Sequence, residues 1–386
     1  MLIAFVAFVV AAQPPAASLP LKRATLLRDT GCWLRWEGDA TPTNGVANVK
    51  IPGNVDVSTL LVERRQDNDW RPADFTIAPA EQSQSAPNAK RADADLTLRI
   101  TDTGTSTIRV QAFSAAQRWK PVYYLELAGK SSRLILRASI TAMTPLDDGV
   151  ELECAAGAAV ERGDPAQPWS DATFYPLQAK SLARGTSSLT VFADAVRADE
   201  FALVELGGMV GEPGMRPSPD RVTSMLRIFN KTAKAWPPGE LIVMKEGRLV
   251  ARVLMPHIDA GRDVELPCGR AVGVAVSRDE VELERKTATV RRETDAPDSI
   301  QTAGSATITN GNGYSLEFRV VKLVAGDANA ASDDAKILRA ANRLGSEQPL
   351  NEIRWSLSLG PGQSKRLTFG TTIRIPQPAE SKDNRP

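Results

Sequence analysis

Apolar and polar residues alternate along most of the chain. Leu96, Leu98 and Ile100 fall on one side of an extended backbone, with Thr97, Arg99 and Thr101 on the other. Tyr314, Leu316, Phe318 and Val320 interleave with Ser315, Glu317 and Arg319. Ile353, Trp355, Leu357 and Leu359 interleave with Arg354, Ser356 and Ser358. A repeat of two marks a strand with one buried face. Helical spacing is nearly absent. The pattern predicts an all-β protein of consecutive antiparallel β-sandwich-like domains with at most one or two short helices.

Turn chemistry points the same way. Asn44-Gly45, Asn310-Gly311 and Asn312-Gly313 offer residues that tolerate the positive φ of tight hairpins. Lys245-Glu246-Gly247-Arg248 separates two apolar runs and predicts another hairpin. One helix is expected, capped by Ser332-Asp333-Asp334 and carrying Ile337, Leu338, Ala341 and Leu344 before Gly345.

Residues 81–92 are polar and aperiodic, which predicts a linker. Irregular stretches also run over 162–176 and 207–219. The expected division is a small N-terminal β domain over 18–80, a middle sandwich over 93–206 and a C-terminal sandwich over 207–376. Residues 377–386 are expected to form a disordered tail.

The first residues break the alternation. Leu2–Ala12 is an uncharged apolar run, too short for the roughly 20 residues that cross a bilayer. Followed by small residues, it predicts a signal peptide over 1–17, although no Lys or Arg precedes it. The other reading is a buried first strand. Export to the periplasm or cell surface is the expectation, with no transmembrane span in the mature chain. Lys and Arg total 47 against 46 Asp and Glu, a net charge of +1. That balance lacks the basic excess of a nucleic-acid partner.

Candidate chemistry is sparse. His257 is the single histidine, in a turn with Asp259 two residues on, and one histidine cannot build a His-rich zinc site. Cys32, Cys154 and Cys268 lack paired metal spacing and read as small buried apolar residues, with no bridge on which function depends. No nucleophile elbow or phosphate loop appears, and Gly207-Gly208-Met209-Val210-Gly211 precedes no helix that could receive a phosphate. Asp147, Asp148, Glu151 and Glu153 cluster near a turn, where carboxylates could hold calcium or hydrolyse a glycoside. Their alternation with Val150 and Leu152 instead describes a solvated strand face. Neither catalytic, cofactor nor metal residues are assigned. Trp169, Phe174 and Tyr175 lie in an irregular stretch and form the candidate interaction surface, against the alternative that they plug a sandwich end. Asn230-Lys231-Thr232 is formally a glycosylation acceptor.

Trp119-Lys120-Pro121-Val122-Tyr123 matches a Trp-x-Pro-x-Tyr signature. Asn230, Thr232, Pro238-Gly239, Gly247, Gly261, Gly269-Arg270, Trp355 and Gly360-Pro361-Gly362 then follow at similar intervals. In this order they resemble the mucoidy-inhibitor-A-like family of exported proteins, whose C-terminal part is a domain of unknown function. Ile51-Pro52, Asp56 and Ser58-Thr59-Leu60 resemble its preceding β domain. Pro256 before His257 departs from the pattern, and residues 81–92 leave room only for a loop where that family often carries a helical insertion. The resemblance implies fold and export, and no established activity.

These readings describe a non-enzymatic β-sandwich protein of the cell envelope with a structural, adhesion or assembly role. Its expected partner is an envelope protein or a glycan. The alternatives are an extracytoplasmic polysaccharide hydrolase or lyase, expected to show converging carboxylates, and a glycan-binding module, expected to show exposed aromatics.

Overall fold

The computed structural model describes residues 16–78, 95–101, 104, 106–128, 131–157, 172–207, 219–286, 299–340 and 350–374. Among them the regular structure is strand throughout, apart from one 3-10 turn at Val57–Thr59 that the Asp56 side chain caps. The fold is all-β, in open sheets of mixed but mostly antiparallel pairing.

The first strands in chain order are β1 (Ala17–Ser18), β2 (Leu21–Leu27), β3 (Gly31–Ala40), β4 (Val46–Ile51), β5 (Leu61–Gln66), β6 (Asp69–Pro72), β7 (Phe75–Ala78), β8 (Leu96–Thr101) and β9 (Ser106–Ser114). There follow β10 (Gln117–Leu127), β11 (Ser132–Ala142), β12 (Glu151–Ala156), β13 (Thr173–Pro176) and the long β14 (Gly185–Leu206). Sheet β1-β4-β8-β7 and sheet β13-β12-β2-β3-β9-β5-β6 contribute Val49, Leu98, Leu26, Trp36 and Ile108 to one core.

The remaining strands are β15 (Arg221–Phe229), β16 (Gly239–Lys245), β17 (Arg248–Met255), β18 (Asp263–Arg270), β19 (Val274–Lys286), β20 (Ser299–Asn310), β21 (Leu316–Ala325), β22 (Asp327–Ala331), β23 (Lys336–Ala340), β24 (Leu350–Leu359) and β25 (Ser364–Arg374). A ten-stranded sheet runs β17-β16-β10-β11-β14-β21-β24-β23, with β15 bridging β14 to β18. A four-stranded sheet runs β19-β20-β25-β22. They enclose a second core around Tyr123, Trp236 and Leu241, and a third around Phe318, Trp355 and Phe369.

The cores do not follow the expected cuts. β7 and β8 flank the 81–92 linker yet pair in one sheet, so both sides of it share one core. Trp119 and Ile140 belong to the first core, while Tyr123 and Leu136 on the same two strands belong to the second. β14 serves all three, through Leu189, Val196 and Val204 in turn. Long strands join the cores, and no linker composition marks such a joint. The expected tail, 377–386, lies outside the described residues, as does 1–15 of the expected leader.

Two local expectations are corrected. The expected helix from Ser332 is absent from its described part: Lys336–Ala340 is a strand paired with β24. Its capping residues are already occupied. Ser332 accepts from the Trp355 indole and the Thr368 amide, and Asp333 and Asp334 take positive φ, which reverses the chain. The second correction concerns Asn310–Gly313. It joins strands of different sheets and is no hairpin. By contrast, Glu246 (φ 52°) and Gly247 (φ 73°) form the two-residue hairpin turn that the sequence predicts, as do Asn44 and Gly45.

The second and third cores are built alike. β15, β16, β17 and β18 correspond to β20, β21, β24 and β25: Phe229 pairs with Asp263 as Thr309 pairs with Ser364, and Trp236 meets Ile258 as Leu316 meets Leu359. At the corner, the Asn230 amide donates to Arg262 and its carbonyl accepts from Gly261. The Asn310 amide donates to Gln363 and its carbonyl accepts from Gly362. Gly261 and Gly362 share positive φ.

Candidate functional site

A cleft of about 730 Å³ opens at the end of the first sandwich. Leu34, Trp36, Ile51 and Leu146 contribute to its walls, and Lys50, Asp95, Asp147 and Arg184 also line it. Its polar part is a small network. Buried Gln117 donates to Thr144 Oγ1 at 2.6 Å and to the Thr144 carbonyl at 3.1 Å, and accepts from the Cys32 thiol at 3.0 Å. Asn54 Nδ2 donates to Thr144 Oγ1, while its Oδ1 is buried without a partner. Burial pushes the Cys32 thiol up to about 12, so at neutral pH it is protonated and a poor nucleophile. The cleft therefore offers amide and hydroxyl groups inside and charge of both signs in its lining.

The four carboxylates of the 147–153 cluster do not converge. Glu151 pairs with Arg23 at 2.6 Å and Glu153 accepts from Thr25 at 2.6 Å, both across the parallel β12–β2 ladder. The Arg23 guanidinium holds Glu151 below the usual carboxylate range. Asp147 and Asp148 are exposed. Among the described residues no three of His, Cys, Asp or Glu come close enough to hold a metal ion. His257 Nε2 lies 3.1 Å from Asp259 Oδ1 in an exposed turn.

Of the candidate interaction surface, Trp169 lies outside the described residues and Phe174 is 38% exposed. Tyr175 is a correction. It is only 2% exposed, because β13 pairs with β12 and turns the ring inward, where its hydroxyl donates to the Ala235 carbonyl. The glycosylation reading of Asn230 is also overturned: its Nδ2 is buried and reaches the carbonyls of Lys234, Ile258 and Asp259.

The residues that carry the family resemblance are architectural. Trp119 is buried and donates to the Ala155 carbonyl, and Tyr123 donates to the Pro237 carbonyl at 2.7 Å. Pro121 is buried against Gly239, where a Cβ would lie 2.5 Å from the Pro121 carbonyl, so only glycine lets β10 and β16 pair. Pro238 precedes β16, Gly247 forms the β16–β17 turn, and Gly261 and Gly269 hold positive φ at either end of β18. Trp355 fills the third core.

A surface that the sequence reading missed lies on β17. Leu249, Val250 and Leu254 are 63%, 47% and 77% exposed on a strand whose outer edge has no hydrogen-bonded neighbour strand among the described residues. Its sequence, Arg-Leu-Val-Ala-Arg-Val-Leu-Met, looks like a buried strand, and only the sheet order reveals an edge.

The fold thus defines an all-β protein of linked sandwich layers. No family model matches the chain, and no curated protein matches it either. No helix among the described residues is long and apolar enough to cross a membrane.

Proposed function

We propose that this chain is an exported, non-enzymatic β-sandwich protein of the cell envelope with a structural, adhesion or assembly role, docking an envelope protein or a glycan. The observation that carries the reading is the apolar edge strand β17, with which no strand among the described residues pairs on its outer side, since exposed edges and apolar patches are where strands and partners dock. The Leu2–Ala12 run and the resemblance to the mucoidy-inhibitor-A-like family support export. The test is fractionation of the tagged chain expressed in a bacterium, with mass determination of its N-terminus. A product trimmed near residue 17 in the envelope or medium is expected; an untrimmed chain in the cytosol would sink the reading.

The second reading, a polysaccharide hydrolase or lyase or a glycan-binding module, draws on the cleft, where Asp95 and Asp147 come from different segments. Product release from envelope polysaccharides that disappears in both Asp95→Asn and Asp147→Asn would favour it over the first. Glycan binding without turnover, lost in the same variants, would favour the module.

A further inference from the structure

The two sandwich units that share the asparagine corner differ in one respect. In the second, the chain between β21 and β24 adds two strands: β23 pairs antiparallel with the outer edge of β24, and β22 pairs antiparallel with that of β25. In the first, β16 and β17 are joined by Glu246-Gly247 alone. The corresponding edges, β17 and β18, have no such strands among the described residues. The second unit therefore shows what covers this kind of edge: a short extended segment joined by backbone hydrogen bonds.

We infer that the β17 edge accepts an extended, acidic segment of another polypeptide, which adds as an antiparallel strand in the position β23 takes on β24. The register limits its length. A bulge opposite Val243 and Met244 interrupts the β16–β17 ladder at Val250, leaving Ala251–Met255 regular. That stretch matches the five residues of β23. Ladder bonds would supply affinity, and alternate side chains lying beside Leu254 and Leu249 would supply specificity.

Charge selects the occupant. Arg248 on β17, and Arg262 and Arg270 at the two ends of β18, make no ion pair among the described residues. The nearby Asp263 and Glu265 are already engaged by Arg227 and Arg319, while Glu246 stays in the turn. A second copy of this chain fits poorly, because antiparallel pairing of Ala251–Met255 with itself sets Arg252 of each copy opposite Leu254 of the other and brings no carboxylate to the unpaired arginines. An acidic strand supplies those carboxylates.

This inference deepens the docking role proposed above and is read out in vitro. Failure of export therefore leaves it standing, and failure of peptide binding leaves export standing. The probe is a labelled peptide of alternating Glu and Val. The controls are the same peptide N-methylated at alternate amides and a Lys-Val version. The expected result is saturable binding of the Glu-Val peptide, with both controls weaker by about tenfold or more, and slowed amide exchange over 251–255. Leu249→Asp with Leu254→Asp is expected to lose about tenfold. If that variant fails to fold, the exposed Arg248→Glu variant should weaken the Glu-Val peptide and strengthen the Lys-Val one. Four results would overturn the inference: no binding of the Glu-Val peptide, equal binding of the N-methylated peptide, unchanged binding in a folded Leu249→Asp/Leu254→Asp variant, or protection of 251–255 that grows with protein concentration alone. The last would make a second copy the occupant.

Discussion

Asn230 and Asn310 hold equivalent corners of two successive sandwich units with the same set of bonds. Nδ2 of Asn230 reaches the carbonyls of Lys234, Ile258 and Asp259, and Nδ2 of Asn310 reaches those of Tyr314, Leu359 and Gly360. In each case Oδ1 accepts from the amide two residues on, that of Thr232 or Asn312. Both side chains are buried, so water cannot replace these bonds.

Removing either amide takes a donor from three carbonyls, one of them buried, and leaves the backbone amide of Thr232 or Asn312 without its acceptor. Asn230→Ala and Asn310→Ala are each expected to cost about 2–4 kcal/mol, measured by denaturant unfolding. Asn→Asp should be no better, because it replaces a donor with a second acceptor. A loss of less than about 0.5 kcal/mol, within the range of ordinary surface changes, would show that the corner does not hold the units.

The three thiols are free, and geometry explains why for two of them. Cys32 and Cys154 both pair with Leu26, from the strands on either side of it. Their Cα atoms are thus about two strand spacings, roughly 9.5 Å, apart, beyond the ~7 Å limit of a disulfide. Cys268 is half-buried, and burial pushes its thiol up to about 11. A thiol reagent is expected to label Cys268 slowly in the native protein and all three cysteines after unfolding. A native species lighter by two hydrogens would contradict this.

Glu265 accepts two bonds from Arg319, at 2.6 and 2.9 Å, and Arg227 lies 3.3 Å away. The Arg319 guanidinium holds the carboxyl below its ordinary range. A depressed carboxyl adds stability above its unfolded pKa of about 4.3, and loses it as pH falls through the lower folded value. Glu265→Gln is therefore expected to lower the unfolding midpoint at pH 7 and flatten its fall in acid. An unchanged acid limb would show that the pair contributes nothing.

Lys322 is buried between Glu280 Oε2 at 3.2 Å and the Gly207 carbonyl at 2.6 Å, with Arg278 sharing both acceptors. Burial pulls its amine below the usual range. The unfolded chain therefore binds that proton more tightly, and this group's contribution to stability rises as pH climbs toward about 10.4. Lys322→Met alone should destabilise by about 3 kcal/mol, because it leaves Glu280 buried with less compensation. Adding Glu280→Met should recover most of the loss. A double variant as unstable as the single one would refute this account.

The candidate site was less legible than the fold. Phe174 and Tyr175 are consecutive in a stretch that reads as irregular, yet β13 turns one outward and buries the other. No local pattern distinguishes them, because the direction depends on pairing with β12. Nor does β17 announce itself. Its apolar residues serve a buried strand as well as an exposed edge, and the choice rests on the connection: residues 326–349 run between β21 and β24 and supply two strands, whereas Glu246-Gly247 alone joins β16 to β17.

Local sequence sets the extended backbone, through its alternation of apolar and polar side chains, and the tight turns at Asn44-Gly45 and Glu246-Gly247, through their tolerance of positive φ. These are properties of neighbouring residues. Tertiary structure decided the rest. Which core each half of β10, β11 and β14 serves, that Ser332 bonds Trp355 instead of starting a helix, and that Asn230 and Asn310 repeat one another all depend on strands distant in the chain. Backbone pairing across a sheet has no local sequence period, so only the folded arrangement reveals it.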